Sequence, residues 1–397
     1  MFTPAEAAAA IAASLEGVEP EQIDLGSCAG RILRAPVFAE RDAPPFDRVA
    51  MDGIAIDGRD RDRRAFRIAG VQAAGVPAQR LDSPGDCFEA MTGAPLPVGC
   101  DTVIPVEQLE LSGGRATVRG EYQWTPSQHV HRRGADARRG DALIAAGTRL
   151  GAPELAVAAS AGLARLAVSR ALRIAVISTG DELVEPGQPI LDHQVRRSNT
   201  YGLAAALTLA GYPPVTDLHL PDRAAVIESA LADALRQHDV LVLSGGVSAG
   251  RFDHLPAVLA TLGVRRVFHG VAQRPGRPMW FGVRPPGAAV FALPGNPVSV
   301  LVCLARYVVP ALRQLSGAAP APPPTAVLAR EFACDAPLAF FLPVALGYDR
   351  KGRAMAEPRP TGGSGDFIAL VGTDGFVELP AGPATHRAGL AVPFYRW

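Results

Sequence analysis

From residue 172 onward, short apolar runs alternate with stretches whose apolar positions recur at helical spacing. Residues 172–178 (LRIAVIS) predict a strand that ends in the turn Thr179-Gly180-Asp181. Residues 199–210 predict a helix with Gly211 as its stop, 215–220 a second strand, and 223–237 a helix with Asp222 at its N-cap. Residues 239–243 (DVLVL) are nearly all apolar, as a parallel strand buried on both faces should be, and run into Ser244-Gly245-Gly246. A helix over 255–262 and strands over 265–268 and 288–293 follow. Pro294-Gly295-Asn296-Pro297 then opens a helix over 298–315, with Pro297 in the first turn, where its missing N–H costs nothing. The pattern is that of an open α/β unit over 172–317.

The Pro-rich stretch 318–324 marks a boundary, and the short runs broken by Gly, Pro and Asp beyond it predict a small β domain over 318–397. Before residue 172, segments 2–15 and 154–161 read as helices. Between them, 47–134 is rich in Gly and Pro, with short alternating runs at 66–69, 102–106 and 115–118. That reads as a β-rich domain inserted into a first domain made of 1–46 and 135–171. The expected fold class is therefore α/β plus β, in a multidomain chain without internal repeats.

Composition narrows the function. The length of 397 residues implies two to four domains, and 48% hydrophobic with 20% charged residues describes a globular protein. No apolar run approaches the roughly 20 residues of a membrane-spanning helix. The first 15 residues are Ala-rich but carry Glu6 and no basic stretch, unlike a signal peptide. A formal net charge of zero gives nothing that draws the chain to nucleic acid or to a membrane surface. The five cysteines (Cys28, Cys87, Cys100, Cys303, Cys334) are odd in number and never form a Cys-x-x-Cys pair. That speaks against a disulfide framework or zinc site and fits a cytoplasmic location. Lys351 is the only lysine, so any cationic ligand site must rely on Arg, which is not equivalent to Lys.

Ligands of open α/β sheets bind at the carboxyl ends of the strands. Three loops there carry candidate chemistry: Thr179-Gly180-Asp181-Glu182; Ser244-Gly245-Gly246-Val247-Ser248 with Asp253 beyond it; and Leu293-Pro294-Gly295-Asn296-Pro297. Gly-rich loops entering helices expose N–H groups to an oxyanion. Carboxylates in the same loops would repel a bare phosphate unless a divalent cation lay between them, so the combination predicts a metal-bridged phosphorylated ligand. Taken singly, each loop is better explained by tight turns and helix caps, whereas three such loops at one sheet edge favour the ligand. Arg274-Pro275-Gly276-Arg277-Pro278 reads as an anion clamp or a solvated basic loop, and the Arg-rich 129–139 as a solvated loop. Walker-type and dinucleotide-binding glycine patterns are absent, which argues against an ATPase or a dehydrogenase.

Several stretches, in order along most of the chain, resemble the molybdopterin molybdenumtransferase family, MoeA in bacteria and the C-terminal region of gephyrin in animals. They are Asp42-Ala43-Pro44-Pro45-Phe46-Asp47 with Ala50-Met51-Asp52-Gly53, then Met91-Thr92-Gly93-Ala94-Pro95-Leu96-Pro97, and Arg133-Gly134-Ala135-Asp136. Ser178-Thr179-Gly180-Asp181-Glu182-Leu183, residues 244–250 with Asp253, 274–278 and 293–299 complete them. The resemblance implies four domains, including a three-layer α/β molybdopterin-binding domain. It implies a homodimer with each site between the α/β domain of one subunit and the inserted domain of the other. It implies Mg²⁺-dependent hydrolysis of adenylylated molybdopterin, insertion of molybdate into the dithiolene, release of AMP, and transient contact with the molybdopterin adenylyltransferase.

Carried over to this sequence, the catalytic set is Asp52, Thr92, Asp136, Asp222 and Arg274, and the metal ligands are Glu182 and Asp253. The substrate-binding set is Thr179, Gly180, Asp181, Ser244, Gly245, Gly246, Ser248, Arg277, Pro294, Gly295, Asn296 and Pro297. The family usually has Lys where Gly270, Arg274 and Arg277 stand, so the departure falls on the molybdate subsite. A non-enzymatic pterin-binding scaffold is the competing class, and an enzyme using tungstate the competing chemistry. The acids Asp52, Asp136, Glu182 and Asp253 favour the enzyme.

Overall fold

The computed structural model describes every residue except 61, 247–254, 286 and 336. At its centre is a six-stranded sheet: β1 (Ile174–Thr179), β2 (Val215–Leu220), β3 (Val240–Ser244), β4 (Arg265–His269), β5 (Trp280–Arg284) and β6 (Ala288–Leu293), in the order β2-β1-β3-β6-β5-β4. The first four positions are parallel and β5 is antiparallel to both neighbours. Alternate residues serve opposite faces, as the two-residue period requires. Ile174, Val176, Val240, Val242 and Phe291 pack on one side; Ala175, Ile177, Leu241, Leu243 and Val290 pack on the other. The second face is covered by helices Ala224–Gln237 and Leu255–Thr261. Ile227, Leu231, Ala234 and Leu235 supply the apolar stripe of the longer one.

The first face is covered by helix Asn199–Leu209 and by the continuous helical segment from Pro297 to Leu315. That segment is 19 residues long with a mean hydropathy of 1.5, so it meets the length and composition of a membrane span. It is the helix that the sequence predicts over 298–315. Here it lies in the core, with Val300, Tyr307 and Leu312 buried against the sheet. It widens to a π-turn at Leu304–Val308, just before Pro310, which has no N–H to return to the preceding turn. The amino-terminal helix Pro4–Ala13, closed by a Thr3–Glu6 capping box, buries Ala7 and Ile11 in this same core.

Two sequence expectations change. Strand β5 has no counterpart among the elements expected from sequence, and Asp222 is not a helix cap: Arg223 occupies the N-cap and makes no side-chain cap bond.

Strand Pro20–Asp24 pairs antiparallel with Arg165–Ser169, and Val37–Phe38 with Ala142–Ile144, so the chain leaves and returns side by side in a stem. Helix Ala152–Ser160 helps close the stem's own core around Leu33, Leu150 and Val168. Between the two halves of the stem lies a second six-stranded sheet, within residues 53–118. Its strand Gly53–Ile56 is buried on both faces. A Cβ on Gly53 would strike the Ile104 carbonyl, so close backbone approach requires glycine there.

The carboxyl-terminal unit joins Ala339–Tyr348, Ala354–Pro358, Thr325–Leu328, Ala391–Arg396 and Gly375–Leu379 edge to edge. The last strand pairs back with the first, closing a small barrel. Gln273–Arg274, from the α/β unit, adds in parallel to Ala339–Phe340 and ties the two units together. The five cysteines are free and buried, and burial pushes the Cys87, Cys100 and Cys303 thiols up to about 12.

Candidate active site

The carboxyl ends of β1, β3 and β6 bring the three loaded loops into contact. Gly245, at φ 97°, donates its N–H to the Leu293 carbonyl at 3.2 Å, and a Cβ there would lie 3.2 Å from the Thr179 carbonyl. Glycine is needed both for the conformation and for the approach. Gly295 packs against Gly245 from the β6 side. Asn199 stitches the edge together, donating to Ser244 Oγ at 2.9 Å and to the Gly295 carbonyl at 2.7 Å. Thr179 and Ser244 are buried, while Asp181, Glu182, Asp222, Gly295 and Asn296 are exposed on the rim.

The first loop turns at Gly180, whose N–H reaches the Leu220 carbonyl at 3.3 Å, and the Glu182 carboxylate folds back over it. Asp181 Oδ1 accepts the Asp222 N–H at 3.2 Å, which places a third carboxylate beside the first two. Beneath the loop lies the buried Arg197. It donates to Ser178 Oγ at 2.8 Å, to Glu185 and to Asp217, and its hydrogen bond holds the Glu185 carboxyl below the usual range.

At the third loop Pro297 begins its helix, but the first free amide, Val298 N–H, is already taken by the Ser364 carbonyl at 3.1 Å. Asn296 Nδ2 donates to Ser364 Oγ at 2.6 Å. The helix terminus therefore offers fewer amides to an anion than its position suggests, and the carboxyl-terminal unit forms part of this rim.

Strand β4 runs in the same sense as β6, so the loop after it leaves from the same sheet edge. Arg274 and Arg277 are exposed on that loop. Its inner side is fixed by the buried Gln273, which accepts from Tyr307 Oη and donates to the Pro275 carbonyl at 3.1 Å. Gly276, at φ 93°, leaves room for Gln273 and Cys303. Gly270 has φ 91° and donates its N–H to the Met279 carbonyl at 2.8 Å. Ser248 and Asp253 lie outside the described residues.

The inserted unit carries a second group. Asp52 Oδ1 accepts both the N–H and the hydroxyl of Thr92, each at 2.7 Å, and these donors, the amide foremost, hold the Asp52 carboxyl below its ordinary range. The Thr92 turn is itself pinned, with Gly93 at φ 86° and bonded to the Val49 carbonyl at 2.9 Å. Asp136 meets His131 Nε2 at 2.8 Å. The Arg-rich 129–139 is thus more than a solvated loop: Val130–His131 pairs with Arg48–Val49, Arg132 binds Asp47, and Arg133 binds Asp42.

Among the described residues, no hydrogen bond or ion pair joins the Asp52–Thr92–Asp136 group to the loops of the α/β sheet. The site residues thus fall into two sets. Asn199, Arg197, Ser364 and His131 were missed from sequence. The run Gly362-Gly363-Ser364-Gly365 was a visible signal for one of them.

Comparison with known proteins accounts for the whole chain. Residues 2–162 match the MoeA N-terminal region (domain I and II), 175–314 a probable molybdopterin binding domain, and 325–397 the MoeA C-terminal region (domain IV). A molybdopterin molybdenumtransferase of Synechocystis is 40% identical over 94% of this chain and 94% of its own length. One from Nostoc is 32% identical over 94% of this chain and 88% of its own. The crystal structure of a molybdopterin biosynthesis MoeA protein from Pyrococcus horikoshii superposes with a TM-score of 0.79 at 28% identity, covering 100% of this chain and 99% of that one. The chain belongs to the molybdopterin molybdenumtransferase family, transferases of molybdenum cofactor biosynthesis.

Proposed function

We propose that the chain hydrolyses adenylylated molybdopterin in a Mg²⁺-dependent step, inserts molybdate into the dithiolene and releases AMP. The observation that carries this reading is the meeting of three strand-to-helix loops, two of them glycine-rich, with Asp181, Glu182 and Asp222 on the same rim. Loop amides and the Asn199-tied edge would hold phosphate and pterin, while Arg274 and Arg277 would hold the molybdate dianion. Asp52, kept ionised by Thr92, would orient the water or the pterin from the other side of the cleft.

The rim offers hard carboxylate oxygens, which suit Mg²⁺. Glu182, with Asp253, would hold it. When bound, the ion offsets charge on the phosphates during attack at phosphorus.

As the family resemblance implies, we assign the working site to a homodimer in which each subunit completes the other's cleft. The reading also places the protein in the cytoplasm, in transient contact with the adenylyltransferase that supplies its substrate. The test is to follow AMP release and molybdenum incorporation separately, with and without Mg²⁺, using molybdate and tungstate in parallel. AMP release that requires Mg²⁺ and precedes metal uptake is expected. Metal uptake without AMP release would overturn the proposal.

A further inference from the structure

At the amino ends of the parallel strands, opposite the candidate site, a cleft of about 620 Å³ opens between the stem and the α/β unit. That volume is in the range of small-molecule sites. Its floor is made of small residues, among them Gly30, Gly147 and Gly211, and its ionic side chains are Arg31, Arg149, Arg170 and Arg313. Among the described residues no Asp or Glu lines it. Arg31 is neutralised by Glu21 and Arg170 by Asp239. Arg149 and Arg313 have no side-chain acceptor among the described residues, so two positive charges are left over.

Their placement is constrained. The Arg149 guanidinium fills the space a side chain on Gly211 would take, and Gly211 itself sits at φ 94°. The same guanidinium lies 3.8 Å from where a Cβ on Gly30 would be, so it bridges the stem and the α/β unit across the cleft. Tyr212 lines the same cleft, and burial pushes its phenol up. Arg149 and Arg313 thus line one cleft without a carboxylate to answer either charge. A helix carboxyl terminus would by itself favour Arg313, but it gives no reason for Arg149 to line the same cleft.

We infer that this cleft is a second anion site, in which Arg149 and Arg313 bind a doubly charged tetrahedral oxyanion, either free or as a phosphate monoester. Paired guanidinium forks match such an anion in charge and geometry, and the remaining volume accommodates the organic part of an ester. None of the residues assigned to the candidate active site lines it.

The test is arginine modification by phenylglyoxal on the full-length protein, mapped by peptide mass. Inorganic phosphate or AMP at about 10 mM should slow modification of Arg149 and Arg313 roughly tenfold and leave Arg350, on the barrel, unaffected. Protection by phosphate alone assigns the free anion, and protection by AMP only assigns the ester. Equal rates with and without both ligands would overturn the inference. The substitution Ala171→Glu puts a carboxylate on the cleft wall while keeping every arginine, and it should abolish the protection. Undiminished protection in that variant, with an unchanged melting temperature, would also overturn it.

Discussion

Gly270 stands where the family resemblance leads one to look for lysine, yet its φ of 91° is a conformation that side chains with a Cβ rarely adopt. Space is not the obstacle, because the nearest atoms to a Cβ there lie 3.7 and 3.8 Å away. Gly270→Lys should therefore cost about 1–2 kcal/mol in urea unfolding, and any gain in molybdate dependence must be read on top of that loss. At Asp52 the expected effect is electrostatic. Thr92→Val removes the hydroxyl donor and leaves the amide, so the Asp52 carboxyl should rise toward its ordinary range without reaching it, as a carbon-detected NMR titration would report. Turnover should fall on the order of a hundredfold if Thr92 fixes the carboxylate's direction; unchanged turnover would remove Asp52 from the reaction. Asp52 and Thr92 were named only through the family resemblance, because the irregular stretches that hold them read on their own as ordinary turns. Asn199 and Ser364 were not, since a polar residue at a helix start or in a glycine run gives no hint of which distant loop it ties down.

The central sheet was readable because β1, β3 and β6 are short apolar runs that feed both faces. Strand β5 was not, because it begins directly after the Arg274 loop and carries Gly282, whose absent side chain makes room for Trp280 and the Arg265 carbonyl. Strand Gly53–Ile56 was equally silent: with both faces buried it shows no alternation. Gly53→Ala should push the strand away from Ile104 and cost about 1–3 kcal/mol, measured by chemical denaturation. Asp239 anchors the start of β3, accepting from Arg170 at 2.7 and 2.9 Å and from the Arg173 amide at 2.9 Å. Burial alone would raise its carboxyl, but these donors win and hold it far below the usual range. A depressed carboxyl stabilises the fold fully above its unfolded value and loses that contribution as pH falls toward the folded one. Asp239→Asn should accordingly cost about 2–3 kcal/mol at neutral pH, and the gap to wild type should close in acid.

At the scale of the whole molecule, the separation of the two groups of site residues makes a clear expectation. Chains carrying Asp52→Asn and chains carrying Glu182→Gln should each be inactive. Mixed and refolded together, they should recover activity in the one cleft per heterodimer that has both residues intact. Heterodimers that form and stay inactive would place each site within a single subunit. The order of units along the chain was legible, from the Pro-rich stretch and from the change of pattern at residue 172. The barrel closure was not, because it depends on Gly375–Leu379 returning to Ala339–Tyr348, a pairing that no local pattern announces. The stem carries a further consequence, for the sequence of events during synthesis. Pro20–Asp24 cannot find its partner Arg165–Ser169 until the whole inserted unit has left the ribosome, whereas that unit's strands pair only with each other. The insertion should reach its native state first and bring the two ends of the stem together, so that it shortens the loop the stem must close. Pulsed hydrogen exchange should find the amides of Gly53–Ile56 protected before those of Pro20–Asp24.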